Sequence, residues 1–378
     1  MIRQLRIQLD RNLLIEWKIE LGQAVNQPAI KMCYATIFNY LGPVQKATPM
    51  VRTLQEVSAA ANWSIASYEF QGGTMLTKEA FERSRSFVER NARPLEKVRL
   101  RFHFDRTPAS LVSEELEKFQ NADGGFGHAL EPDLRTPVSS ALATSVAFQI
   151  LRETGGDPGA TVADAVDYLL RTCDGTRLSW RIIPEIAAES PHAPWWNQAG
   201  LEEGFNHFQL NPTAEILGYL HDYQEFVPPN LIAELSEAIL ARLAGLERLE
   251  MHDFLCCKRL VETKGLDDSF RIAVLNVLRR SLDSTVIQDP SQWDQYGLRP
   301  LQAAGSPDAA LFAPLQQAID RNLDYEIAAQ QADGSWPVAW SWGDQYPNEW
   351  ERAAVEWKGV LSVEKLVVLK RYGRIEDW

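Results

Sequence analysis

The sequence predicts an all-α domain over residues 75–378, an (α/α)6 toroid of about six helix pairs, with a small α+β appendage over residues 1–74. Three observations carry that expectation. Apolar residues recur at helical spacing from Thr77 to the C-terminus. A turn of the form Q-x-x-D-G-x-[aromatic] returns at intervals of about fifty residues. The first segment alternates instead with a period of two.

In the appendage, Ile15, Trp17, Ile19 and Leu21 alternate with Glu16, Lys18 and Glu20, the pattern of a half-buried strand. Residues 30–41 are apolar and β-favouring, residues 51–61 read as a short helix, and Gln71-Gly72-Gly73-Thr74 reads as a linker. This segment carries seven Lys/Arg against five Asp/Glu, a balance of +2 that leaves −15 for the rest of the chain. Met75 offers an alternative start for the helical domain.

The helices follow in order. Thr77 can cap a helix that places Phe81, Ser84 and Val88 on one face. Val98, Leu100, Phe102 and Phe104 alternate with Arg99, Arg101 and His103, which reads as a short strand or a helix-flanking extended piece. Val112, Leu116 and Phe119 mark the next helix, Ser139–Leu151 another, and Val162, Ala165, Val166, Leu169 and Leu170 form a clear stripe. Asn211-Pro212 reads as a cap followed by proline at the first helical position, opening a helix with Ile216, Leu217 and Leu220. Leu231, Leu235, Ile239 and Leu243 follow, then Phe312, Leu315, Ile319 and Leu323, and a last helix from about Leu361 to Tyr372.

Gln120-Asn121-Ala122-Asp123-Gly124-Gly125-Phe126 and Gln330-Gln331-Ala332-Asp333-Gly334-Ser335-Trp336 share one pattern, and Arg171-Thr172-Cys173-Asp174-Gly175 keeps its Asp-Gly. The intervals are 51 and 159 residues, and the second is three units of 53. Asp-Gly permits a tight turn with positive φ after a helix, and the glutamine can bond exposed backbone at the helix end. These residues therefore staple helices before they touch any ligand.

Composition narrows the function. The chain has 378 residues, 45% hydrophobic and 24% charged, with 51 acidic and 38 basic side chains and a net charge of −13. That balance argues against nucleic acid, whose phosphates need a cationic face, and against an anionic membrane surface. No stretch has the roughly 18–20 apolar residues of a spanning helix. Arg3, Arg6, Asp10 and Arg11 break any signal-peptide run, and four cysteines without a C-x-x-C pair suit a reducing cytoplasm. The twelve tryptophans are uneven, with six of them at or after Trp336.

The repeat resembles those of squalene and terpenoid cyclases and of protein prenyltransferase β-subunits. The stretch Gly124-Gly125-Phe126-Gly127-His128-Ala129-Leu130-Glu131-Pro132-Asp133 resembles the glycine-rich loop of the latter, and the chain from about Met75 is similar to bacterial proteins with prenyltransferase/squalene oxidase repeats. The resemblance implies an isoprenoid or other large apolar substrate in a central aromatic-lined cavity. It departs from both families at their active residues. There is no D-x-D-D, and no histidine follows His252 to supply a late zinc ligand. No cofactor is required by the residues; magnesium or zinc would enter through the resemblance alone.

The candidate chemistry is therefore local. Glu131 and Asp133, two apart beside Pro132, are the carboxylate pair for acid catalysis, with Arg135 adjacent. Trp195, Trp196, Trp340 and Trp342 lie in irregular segments and are candidates to line a pocket, joined by Trp293, Tyr296 and His128. His252 and Cys256, i and i+4 on one helical face, with Asp253 flanking them, are the weak metal candidates. Two other readings stay open: a carbohydrate-active (α/α)6 enzyme using the same carboxylates over a tryptophan platform, and a non-catalytic binding toroid. The sequence gives no oligomeric state.

Overall fold

The computed structural model describes the backbone of residues 2–10, 13–20 and 202–205, and in full residues 73–155, 159–201 and 207–378. The chain divides into two compact units, Met1–Gly72 and Gly73–Trp378. In the first unit, β1 (Ile2–Asp10) and β2 (Leu13–Glu20) pair antiparallel. Leu5 stands opposite Trp17 and Ile7 opposite Ile15, while Arg6 opposes Glu16. The expected strand-like run 30–41, the helix 51–61 and the linker at 71–72 lie outside the described residues.

The second unit is all-α. Its helices are α1 (Lys78–Asn91), α2 (Pro94–Asp105), α3 (Ala109–Glu117), α4 (Ala141–Thr154), α5 (Gly159–Thr172), α6 (Gln198–Phe205) and α7 (Leu210–Asp222). Then come α8 (Pro229–Ala244), α9 (Met251–Val261), α10 (Asp268–Thr285), α11 (Pro300–Ala303), α12 (Phe312–Ala328) and α13 (Pro347–Arg371). Thr77 caps α1 by accepting the Ala80 amide at 3.2 Å. Phe81, Ser84 and Val88 are buried as the stripe predicts.

Three local expectations are corrected. Val98–Phe104 is helical, not extended: Pro94 opens α2, which buries Leu95, Glu96, Arg99, Leu100 and Phe104. Two charged residues on the buried face mask the helical period. Asn211 does not simply cap α7; it has non-helical angles within it, and the Asn211–Pro212 bond is cis. The last helix starts at Pro347, fourteen residues before Leu361, because its first turns bury Ala353, Glu356 and Gly359 rather than large apolar groups. A Cβ on Gly359 would lie 2.7 Å from Ala92 Cβ, so glycine is what lets α13 approach the chain between α1 and α2.

Helix packing follows the chain. α4 lies on α7, α7 on α9, and α9 on α10 and α11. The end then returns to the beginning, with α13 packed on α1 and α2. Leu76 and Ile375 form a parallel bridge, with Leu76 N bonded to Arg374 O at 2.8 Å and Glu376 N to Leu76 O at 3.0 Å.

The repeated turns make equivalent seams. Gln120 Nε2 donates to Gly124 O in its own turn (2.9 Å) and to Thr161 O on α5 (2.8 Å). Gln330 Nε2 donates to Gly334 O (3.3 Å) and to Ala80 O on α1 (2.9 Å). Each glutamine thus ties one turn to a second helix, and the last turn reaches the first helix. Asp123 and Asp333 each accept the amide two residues on, at 3.0 and 2.9 Å. Tryptophan supplies a second staple: Trp336 Nε1 bonds Glu326 O (2.7 Å) and Trp180 Nε1 bonds Leu169 O (2.8 Å), each reaching back to an outgoing helix.

Candidate functional site

Glu131 and Asp133 lie on the segment between α3 and α4, and both are buried, Asp133 at 3% exposure. That segment is fixed from several sides. Ala193 N donates to Asp133 O at 2.9 Å, Arg135 N to Pro191 O at 2.9 Å, and Arg93 Nη1 to Ala129 O at 2.8 Å. The two carboxyls then meet different surroundings. Asp133 accepts from two indoles, Trp342 Nε1 on Oδ1 (2.7 Å) and Trp340 Nε1 on Oδ2 (3.0 Å). The extended run through Trp340 and Trp342 therefore aims both rings at one carboxylate. Burial raises the Asp133 pKa, and the Trp342, Trp357 and Trp340 N–H groups pull it back down.

Glu131 has no such donor for one of its oxygens. Its Oε2 is buried without a hydrogen-bond partner. Burial pushes its pKa well above the ordinary carboxylate value, and the neighbouring Asp133 charge adds to that rise. Backbone amides at Asp133 and Leu134, and the Arg93 charge, oppose it without cancelling it. Both carboxyls are thus pushed upward by burial, but indole N–H groups oppose the rise at Asp133 while Glu131 Oε2 has no donor, so the surroundings separate the two. Arg135, which could have neutralised the pair, is engaged by Glu356 at 2.5 Å.

The aromatic candidates separate. Trp340 packs edge-on to Trp357 (centroids 5.1 Å) and to Tyr296 (5.8 Å), so these three rings stand over the Asp133 clamp. Trp342 is 1% exposed and packs with Ala193 and Ala353. It reaches the site through its N–H alone. Trp196 bridges that cluster to Leu134, Ile182 and Ile183, whereas its neighbour Trp195 is 42% exposed.

Trp293 and His128 are corrected as pocket residues. Trp293 is fully buried and donates to Ile287 O at 2.7 Å, another staple behind an outgoing helix. His128 turns back to Asn121 Oδ1 at 2.9 Å, within its own repeat turn.

The metal candidates also disperse. Cys256 is buried and points to Asn211 Oδ1 (3.5 Å), while His252 bonds Tyr296 Oη through Nε2 (3.0 Å) and Glu250 Oε2 through Nδ1 (3.3 Å). Among the described residues no three His, Cys, Asp or Glu side chains form a metal-holding group. Burial raises the thiol pKa of both Cys256 and Cys257. Iodoacetamide at pH 8 is therefore expected to leave both unmodified in the folded protein and to modify both in denaturant, as read by peptide mass spectrometry.

Sequence reasoning missed the charged groups that α2, α4, α7, α9 and α13 turn toward one another. Glu215 on α7 pairs with Arg259 on α9 at 2.8 Å, and Gln149 on α4 reaches Glu215 at 3.3 Å. Arg99 on α2 pairs with Glu153 on α4 at 2.6 Å, and His103 bonds the same carboxylate. Glu364 on α13 is exposed, yet desolvation raises its pKa, and Arg99, Glu153, Lys365 and Arg259 all act on it. Only the spacing of these charges along separate helices could have signalled this, and no single window contains it.

One consequence of the indole clamp is direct. Trp342→Phe keeps a ring in the core but removes a donor to a buried carboxylate, so it is expected to cost about 1–3 kcal/mol, read by urea unfolding. Trp195→Phe, at an exposed ring, is expected to change stability by less than about 0.5 kcal/mol in the same measurement.

No helix among the described residues is long and apolar enough to cross a membrane. A scan against protein-family models finds no match, and a search of curated proteins finds no matching relative.

Proposed function

We propose that the helical unit is an (α/α)6 toroid whose mouth cleaves carbon–oxygen bonds in a carbohydrate-like ligand, with Glu131 as general acid. The observation that carries this reading is the buried Glu131 Oε2, a carboxyl oxygen with no partner whose burial favours the protonated form, beside the Asp133 carboxyl clamped by Trp340 and Trp342. Such a group can place its proton on a leaving oxygen, and the fixed Asp133 charge favours the cation that develops. The ring arrangement of helices is supported by α13 returning to α1 and α2 and by the matching Gln120 and Gln330 seams.

The same carboxylates would serve an isoprenoid cyclase, the expectation raised by the repeats. The ion pairs between neighbouring helices favour the carbohydrate. Glu215–Arg259 and Arg99–Glu153 put charge on faces that helices turn to one another, and charge facing an apolar ligand would stay desolvated without return. Trp340 and Tyr296 offer a platform with hydrogen-bonding groups beside it, which suits a polyhydroxylated ring.

The test is a product assay on two panels. One contains 4-methylumbelliferyl and 2,4-dinitrophenyl glycosides with a set of oligosaccharides; the other contains linear prenyl diphosphates and squalene. Glycoside hydrolysis lost in Glu131→Gln is the expected result. Cyclic hydrocarbon products would replace this reading with the cyclase. Silence in both panels would leave a binding toroid.

A further inference from the structure

The mouth holds a second hydrogen-bonded set that the acid reading does not use. Glu250 is the N-cap of α9, and its Oε1 accepts the Asp253 amide at 2.7 Å. The other oxygen, Oε2, meets His252 Nδ1 at 3.3 Å, and His252 Nε2 meets Tyr296 Oη at 3.0 Å. The tautomer that serves both contacts has Nδ1 donating to Glu250 and Nε2 accepting from the phenol. A carboxylate that orients an imidazole, which in turn faces a hydroxyl, is the arrangement that activates a hydroxyl group. Here the carboxylate is itself held by a helix terminus, so the set is preorganised.

Its location ties it to Glu131. Tyr296 stands edge-on to Trp340, whose N–H holds Asp133. Burial raises the Tyr296 pKa, and Glu250, Asp133 and Glu131 all add to the rise. The phenol therefore lies in the field of both carboxylate groups, Glu250 on one side and the Glu131–Asp133 pair on the other. A phenolate is disfavoured there, which suits a hydroxyl that relays a proton rather than one that holds a charge. Tyr296 is 52% exposed, open to water and ligand.

We propose, resting on the acid role of Glu131, that Glu250, His252 and Tyr296 form the base half of this site and activate a water for hydrolysis of a glycosidic bond. The Tyr296 oxygen takes a proton from the water while its own proton moves to His252 Nε2. The water oxygen forms the new bond to the anomeric carbon, the bond to the leaving oxygen breaks, and Glu131 supplies that oxygen's proton. The imidazolium beside Glu250 and the Glu131 carboxylate then return to their starting states by exchange with solvent. Tyr296 and His252 are catalytic residues in this scheme, and Glu250 is a positioning residue.

The experiment uses the full chain, the same aryl glycosides, and azide as an external nucleophile that needs no deprotonation. Tyr296→Phe and His252→Gln are expected to lose about 10²–10⁴-fold in kcat on both leaving groups. In Tyr296→Phe, azide is expected to restore turnover as glycosyl azide. Glu131→Gln is expected to lose far more on methylumbelliferyl than on dinitrophenyl glycosides, since the better leaving group needs no acid. Glu250→Gln is expected to shift the acidic limb of the kcat/KM profile, with KM unchanged. Tyr296 is exposed, so Tyr296→Phe should fold, and its circular dichroism and Tm should match the wild type. Wild-type rates in Tyr296→Phe and His252→Gln, with Glu131→Gln inactive, would overturn the base half and leave the acid standing. A wild-type chain that hydrolyses no glycoside would overturn the acid reading itself.

Discussion

Glu131→Gln is expected to abolish turnover of poor leaving groups, by about 10²–10⁴-fold, and at the same time to make the protein more stable at alkaline pH. The two effects have one origin. Glu131 is buried with a free Oε2, and burial, then the Asp133 charge, raises its pKa well above the ordinary value. In the unfolded chain the same carboxyl loses its proton near pH ~4.3. Between that pH and the raised native value, the folded state binds more protons than the unfolded state. Stability therefore falls as pH rises through this window and levels off above it. Below about pH 4 both states carry the proton, and the group costs nothing. Glutamine has no proton to lose and nearly the same shape, so the variant lacks the penalty. Its Tm should match the wild type at pH 4 and exceed it by a few degrees at pH 8, measured by scanning fluorimetry across that range. A variant that is less stable at pH 8 would show that Glu131 is ionised and well partnered in the fold, which removes it as an acid.

The helices with apolar stripes were legible because their burial is one-sided and local. α5 buries Val162, Ala165, Val166 and Leu169, and α8 buries Leu235, Ile239 and Leu243, all at positions the period marks. The helices that escaped are those that bury charge or small residues. α2 hides Glu96 and Arg99 against neighbours, and the early turns of α13 hide Ala353, Glu356 and Gly359, so hydrophobicity gives no stripe. The site divides in the same way. Glu131 and Asp133 could be proposed because they are two apart, and Trp340 and Trp342 because an extended run points alternate residues to one side. That these two pairs meet was beyond the sequence, since 207 and 209 positions separate the indoles from the carboxylate. The Glu250–His252–Tyr296 set was hidden for the same reason, with 44 positions between imidazole and phenol.

Gly334→Ala is expected to destabilise the helical unit by about 2–5 kcal/mol, and the comparison with Gly124→Ala tests whether the helices close into a ring. Gly334 has φ of +93°, and a Cβ there would lie 2.4 Å from the Arg83 carbonyl on α1. Gly124 has φ of +85°, and its Cβ would lie 2.2 Å from the Asp164 carbonyl on α5. Both substitutions therefore combine left-handed strain of about 1–2 kcal/mol with a backbone overlap of about 1–3 kcal/mol. Gly265→Ala supplies the control: its φ is +74°, but nothing lies within 4 Å of the added carbon, so strain alone should appear. The seam at Gly124 joins neighbours in the chain, whereas the seam at Gly334 joins α12 to α1 across the whole unit. In an open stack of helix pairs, the terminal seam would relax or fray, and Gly334→Ala would cost little more than Gly265→Ala. In a closed ring neither seam can move without opening the circle, so Gly124→Ala and Gly334→Ala should cost alike. Hydrogen exchange locates the damage as well as its size. Closure predicts that Gly334→Ala speeds exchange in both α1 and α12, because Gln330 holds the Ala80 carbonyl across that seam. Faster exchange confined to α12 would mean that the first and last helices stand independently, and the ring would be lost as a description of the unit.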